Sequence, residues 1–159
     1  MIFIDEAYYD FIIEPEYPSM IELVKEDRNV IVSKTFSKVF GMAGMRIGYL
    51  VARPDIASSL KANVMAMTNT LAIEAVKAAL KDDDFYKFSL AKNEEGKKII
   101  YNTLDFLNIK YIPSHTNFVF FESGRHINEL SAAMQKENVL IGRPPFTIGQ
   151  ELVPALLNK

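Results

Sequence analysis

The chain has no cysteine, which excludes disulfides and thiolate metal sites and is compatible with a reducing compartment. It has no basic excess either. Eighteen Lys and Arg stand against 20 Asp and Glu, for a formal net charge of −2 and a pI near 5.7, which leaves no electrostatic footprint for nucleic acid. Long apolar runs are missing: "FII", "VIV" and "FVFF" are far too short to span a bilayer. No charged segment leads into an apolar signal-like core, because Asp5 and Glu6 arrive almost at once. A cytoplasmic address is the expectation. Internal repeats and low-complexity segments are absent. The two histidines, His115 and His126, lie far apart with no ligand pattern, so no metal is expected, and Asp82 to Asp84 read as a solvated helix start. What is present is 159 residues, 49% hydrophobic and 24% charged, enough for one substantial core or two small lobes.

The order of elements reads from the apolar periodicity. "MIFIDEAYYDF" opens within an apolar run of the kind found in interior parallel strands, which predicts a chain cut inside a larger α/β domain. A loop, "IEPEYP", follows. Ser19 with Glu22 then predicts a capping box opening a helix over "SMIELVKEDR". "NVIVSKTF" and "MRIGYLVA" read as two further strands. Pro54 suits the first turn of a helix over "RPDIASSLKANVMAM", and "LAIEAVKAALKD" reads as another. From Asp82, Phe85, Phe88, Ile99, Ile100, Thr103, Leu104 and Leu107 recur at helical spacing behind an acidic start, interrupted only by Gly96. Strands are expected at "KYI", "NFVFFES" and "VLIG", with a helix over "HINELSAAMQKEN" before the last of them. A proline corner and a final helix, "ELVPALLNK", weakened by Pro154, complete the reading. The pattern is the tail of a mostly parallel sheet (1–53), a helical connection (54–81) and a smaller α/β lobe (82–159).

Two stretches could carry chemistry, each just past the carboxyl end of an expected strand, where open α/β sheets bind ligands. Asp5 ends "MIFI", with Tyr8 three residues on. Lys34, Thr35, Ser37 and Lys38 follow "NVIV". Hydroxyls close to a lysine and to Arg46 suit an oxyanion, most economically a phosphate. Gly41 and Gly44 would let backbone approach in the intervening turn. A lysine amine, a phosphate cradle, a carboxylate for a protonated ring nitrogen and a phenol for a ring oxygen are together what pyridoxal phosphate requires. Each piece alone also has a plainer reading. "SKTFSK" can be a solvated basic loop, Asp5-Glu6 a strand-end cap or turn, and Lys34 a strand-end lysine at the surface or one that helps the local field.

In combination, "IDEAYYDF" and "SKTFSKVFGMAGMRIGYLVA" resemble the fold-type-I pyridoxal-phosphate aminotransferases of class I/II, and within them the histidinol-phosphate aminotransferase branch. Thr35, Lys38 and Arg46 fit the family spacing of a hydroxyl residue, the Schiff-base lysine and an arginine eight further on. "SHTNFVFFE" and "VLIGRPP" resemble the family's small domain, so the likeness covers essentially the whole chain. It implies the C-terminal part of a mostly parallel, three-layer large domain followed by a small α/β domain. It also implies an enzyme that uses pyridoxal 5'-phosphate with an amino donor and a 2-oxo acid acceptor, as a homodimer. Lys38 would then be the Schiff-base lysine and catalytic base, and Lys34 would not. Thr35, Ser37 and Arg46 would hold the phosphate, Asp5 the pyridinium nitrogen and Tyr8 the ring oxygen.

The sequence departs from the family in two places. The family's large domain has a portion before the "D-E-A-Y" strand that supplies further cofactor contacts, so the chain is expected to be inactive alone. The family's substrate-carboxylate arginine, in a segment shaped R-x-x-x-G, has no counterpart in "PPFTIGQ". No arginine precedes Thr147 and Gly149 at that spacing, and Arg143 is the only one nearby. A threonine-phosphate-type decarboxylase shares these motifs, and a non-catalytic scaffold or interaction domain is the reading from another class.

Overall fold

The computed structural model describes residues 1–14, 16–65, 67–142 and 152–156. The chain divides into two compact units, Met1–Leu90 and Ala91–Lys159. The first is built on three strands in the order β1-β2-β3: β1 (Ile2–Asp5), β2 (Val30–Thr35) and β3 (Gly48–Ala52). β1 and β2 run parallel, with Ile2 opposite Val30 and Asp5 opposite Ser33. β2 and β3 run antiparallel, from Ile31 opposite Ala52 to Thr35 opposite Gly48. The apolar start of the middle strand, Val30, Ile31 and Val32, joins Phe11, Phe36, Val39, Ile56, Ala72 and Val76 in the core.

The continuous apolar run of β1 predicts an interior strand of a larger sheet, and within this chain β2 is its one neighbour among the described residues. β1 is an edge of the described sheet, and Ile2 and Phe3 are 62% and 61% exposed. Hydrophobic content alone does not bury a strand that has one neighbour. The expected capping box fails to close. Helix α1 (Ile21–Lys25) does receive a bond from Ile21 N–H to Ser19 Oγ at 3.3 Å. Glu22, however, pairs with Lys25 at 2.6 Å instead of reaching back. Glu6 supports the helix entry through a different donor, its Oε1 accepting from Met20 N–H at 2.6 Å.

Helix α2 (Pro54–Ala62) starts with its proline in the first turn, as expected. Helix α3 (Thr70–Ala79) is capped by Asn69, whose side chain accepts from Leu71 N–H at 2.9 Å. Helix α4 (Asp83–Phe106) is unbroken over 24 residues despite Gly96, and Asp82 Oδ1 caps it at Phe85 N–H, 2.9 Å. It begins in the first unit and ends in the second.

The second unit holds an antiparallel sheet in the order β4-β5-β6, with β4 (Tyr111–Ile112), β5 (Phe118–Glu122) and β6 (Leu152–Leu156), and helix α5 (Ile127–Lys136). Two expectations are corrected here. "VLIG" forms no strand: Asn138 adopts φ 61°, and Val139 N–H turns back to Met134 O at 2.9 Å to close the end of α5, as Schellman caps do. The terminal helix is instead a strand, with Leu152 opposite Glu122 and Pro154 opposite Phe120. Proline removes a helix hydrogen bond but is tolerated in an edge strand. Arg143, Thr147 and Gly149 and the proline corner lie outside the described residues.

Candidate active site

Asp5 sits at the exposed end of β1, where two donors converge on its Oδ1: Ala7 N–H at 3.0 Å and the Ser33 hydroxyl at 3.0 Å. The bond from Ala7 is the turn expected of a strand-end aspartate. The bond from Ser33 follows from parallel register, which places the two residues side by side. The chain then turns through Tyr8 into a short 3₁₀ segment, Tyr9–Phe11.

Thr35 closes β2, and its Oγ1 accepts from Ser37 N–H at 3.1 Å. The loop beyond it is a tight one. Gly41 N–H bonds Lys38 O at 2.9 Å, Met42 N–H bonds Phe36 O at 3.0 Å, and Gly41 holds φ 67°, a conformation natural to glycine. Aromatic rings brace it: Tyr49, Phe36, Phe40 and Tyr86 follow one another at centroid spacings of 5.5, 5.2 and 5.5 Å. Burial, and next the Asp10 carboxylate, pushes the Tyr86 phenol up to about 12, and the two groups share a 3.4 Å hydrogen bond. The braced loop sets Lys38 Nζ over the Tyr8 ring, 4.7 Å from its centroid.

Arg46 follows a second 3₁₀ turn, Ala43–Met45, in the left-handed conformation at φ 51°. That region costs a non-glycine residue about 1–2 kcal/mol, and such strain gathers at functional sites. Its Nη1 donates to Ala43 O at 2.8 Å, and the side chain is otherwise exposed. The backbone holds it near the lysine loop through Phe36 N–H to Ile47 O, 3.3 Å. Gly44, expected to allow close approach, stands in open space. Gly48 needs to be a glycine for a reason of space, because a Cβ there would meet Lys34 O at 2.6 Å.

The structure therefore joins Lys38 to Tyr8, Asp5 to Ser33 and Thr35 to Ser37. It shows no direct bond from Arg46 to these groups among the described residues. It also corrects the reading of Lys34 as a surface lysine. That side chain is 11% exposed, with Nζ 3.5 Å from Glu6 Oε2 and 4.4 Å from the Tyr9 ring centroid. The pairing of Glu6 with Lys34 is what sequence reasoning missed. The available signal was strand alternation, which puts neighbours of exposed Asp5 and of Ser33 on the opposite face.

The profile of the family "aminotransferase class I and II" matches residues 1–153. The chain belongs to this family. A histidinol-phosphate aminotransferase of Brevibacillus brevis is 34% identical over 142 residues, covering 89% of this chain and 39% of that protein. The crystal structure of an Erwinia carotovora atroseptica chain, provisionally described as histidinol-phosphate aminotransferase, is 32% identical with a TM-score of 0.93. It covers 99% of this chain and 46% of the other. The structure of the Sinorhizobium meliloti histidinol-phosphate aminotransferase in complex with pyridoxal-5'-phosphate is 27% identical with a TM-score of 0.84, covering 97% and 43%. The chain thus spans less than half the length of these aminotransferases.

The donor set suits a phosphorylated cofactor. Two hydroxyls and a guanidinium can donate to phosphate oxygens. Lys38 carries no carboxylate partner among the described residues, and Asp5 Oδ2 is free of the bonds that occupy Oδ1. No helix among the described residues is long and apolar enough to cross a membrane.

Proposed function

We propose that this chain carries the lysine-bearing part of a pyridoxal-phosphate-dependent aminotransferase. The substrate class is an amino acid or amino-alcohol phosphate of the histidinol-phosphate kind, and a 2-oxo acid is the acceptor. The observation that carries this reading is the braced loop beyond β2, which sets Lys38 over Tyr8 next to the strand ends bearing Asp5 and Thr35. When bound, pyridoxal phosphate supplies an electron sink for charge developing at a substrate α-carbon.

Thr35, Ser37 and Arg46 would hold the phosphate, Asp5 a protonated ring nitrogen and Tyr8 the ring oxygen. Lys38 would hold the cofactor covalently. Its amine would move the proton of the substrate α-carbon, base and acid in turn. A cytoplasmic homodimer, and turnover only when the chain is joined to the additional segment its longer relatives possess, belong to the same proposal.

The test is to incubate the chain with pyridoxal phosphate, reduce with borohydride and map the modified peptide. Label at Lys38 is expected; label at Lys34 alone overturns the assignment. With the chain joined to a relative's additional segment, amino transfer from histidinol phosphate is the expected reaction. Release of carbon dioxide from threonine phosphate would point to the decarboxylase instead, and neither reaction would leave a scaffold.

A further inference from the structure

Lys34 and Lys38 lie four residues apart at one strand end, and either amine could condense with a carbonyl. Their surroundings differ. Glu6, with its side chain 5% exposed, takes the Ser19 hydroxyl at 2.8 Å on Oε2 and Met20 N–H at 2.6 Å on Oε1, and its Oε2 lies 3.5 Å from Lys34 Nζ. The carboxylate is thus anchored to the entry of α1, and the lysine that pairs with it is enclosed by the Tyr9 ring. Glu6 N–H bonds Ser33 O at 2.9 Å, which continues the β1–β2 ladder by one residue. Side chains alternate across a strand, so Ser33 and Thr35 share one face of β2 and Lys34 takes the other. Lys38, itself partly buried, lies over the face of Tyr8 and makes no ion pair among the described residues.

We propose that Glu6 is a positioning residue that withholds Lys34 from carbonyl chemistry and so leaves Lys38 as the reacting amine. The inference rests on the reading that a carbonyl cofactor binds here. An ammonium held by a fixed, buried carboxylate is costly to uncouple, because the carboxylate would be left without its counter-charge. The selection between two neighbouring lysines then comes from the opposite face of the sheet, not from the phosphate cradle.

The experiment is reductive methylation of the folded chain with formaldehyde and cyanoborohydride, read lysine by lysine. It needs no cofactor, so it separates this inference from the functional proposal. Lys38 should react about tenfold faster than Lys34 in the unaltered chain, and Glu6→Gln should speed Lys34 about tenfold while leaving Lys38 unchanged. Lys97, buried in the other unit, is the control: acceleration there marks global loosening. Comparable rates at Lys34 and Lys38 in the unaltered chain overturn the inference, whether or not the variant folds. So does an unchanged Lys34 rate in a folded Glu6→Gln chain. Pyridoxal phosphate with borohydride supplies the second readout, with label moving from Lys38 alone to both lysines in Glu6→Gln. Label at neither lysine in the unaltered chain would sink the cofactor reading while leaving the methylation result to stand.

Discussion

Lys34 in the first unit and Lys97 in the second are both enclosed cations, with side chains 11% and 7% exposed, yet they are neutralised in different ways. Lys34 meets a carboxylate from a distant part of the chain that is itself buried. Lys97 pairs at 2.6 Å with Glu94, one turn away on α4 and 43% exposed, and donates to Ser114 O at 2.9 Å. Its neighbours along the same helical stripe do related work: Asn93 donates to Thr116 O at 3.1 Å, and Tyr101 accepts from Ser114 N–H at 2.8 Å. One cation clamps two strand ends and a helix entry, and the other fastens a loop to a helix. The first arrangement has no solvated member to absorb a lost partner.

The sharpest way to break that contrast is to delete each carboxylate. Glu6→Ala leaves Lys34 buried without its counter-charge and strips Met20 N–H and Ser19 of their acceptor, and should cost about 3–5 kcal/mol. Glu94→Ala removes a half-solvated partner and should cost about 1 kcal/mol or less. Urea unfolding of the two variants measures both. Equal losses would remove the distinction. Lys97→Met goes further into the second unit, keeping the aliphatic bulk but leaving Ser114 O without its donor, and should cost about 1–3 kcal/mol.

Much of this architecture is legible in the sequence, and the exceptions share a cause. The strand ends at Asp5 and Thr35, the helix over α4 and the spacing of Thr35, Lys38 and Arg46 depend on local periodicity and on spacing along the chain. The role of Glu6 depends on Ser19, Met20 and Lys34, which reach it only after β1 and β2 pair. Glu6 also takes the Ser19 hydroxyl, while Glu22 turns to Lys25, and the Ser19–Glu22 box does not close. "VLIG" carries a strand-like composition, but Val139 is consumed in ending α5, and the apolar Leu140 is left 80% exposed. The polar stripe of Asn93, Lys97 and Tyr101 has a plain spacing of four. It was hidden because the apolar residues of the same helix account for its periodicity without it.

Arg46 sharpens the comparison as a cation of a third kind, exposed and strained rather than buried and paired. Arg46→Gly should make the first unit about 0.5–1 kcal/mol more stable by relieving its left-handed backbone. On the functional proposal, the same change should weaken pyridoxal phosphate by about one to two decades through the lost phosphate contact. Thermal unfolding and a cofactor titration of the chain joined to a relative's additional segment separate the two effects. A variant that loses stability and keeps affinity would deny Arg46 its role.

The smallest effect expected concerns the brace under the lysine loop, the part of the first unit that relies on rings instead of charge. Tyr86 holds its proton up to about 12, against an ordinary phenol near 10, because burial and then Asp10 disfavour the phenolate. The folded chain therefore retains a proton that the unfolded chain gives up. The stabilising contribution is complete below pH 10 and is lost as pH rises from there through about 12. Tyr86→Phe keeps the ring against Phe40 and removes both the titration and the 3.4 Å bond to Asp10. Urea midpoints recorded across that alkaline window should fall less steeply for the variant than for the unaltered chain, with a small constant loss at neutral pH. Because both groups lie partly in solvent, the difference in slope should be modest and confined to the alkaline limb. Parallel pH profiles would mean that neither burial nor Asp10 holds the phenol up, and that the loop carrying Lys38 is braced by ring packing alone.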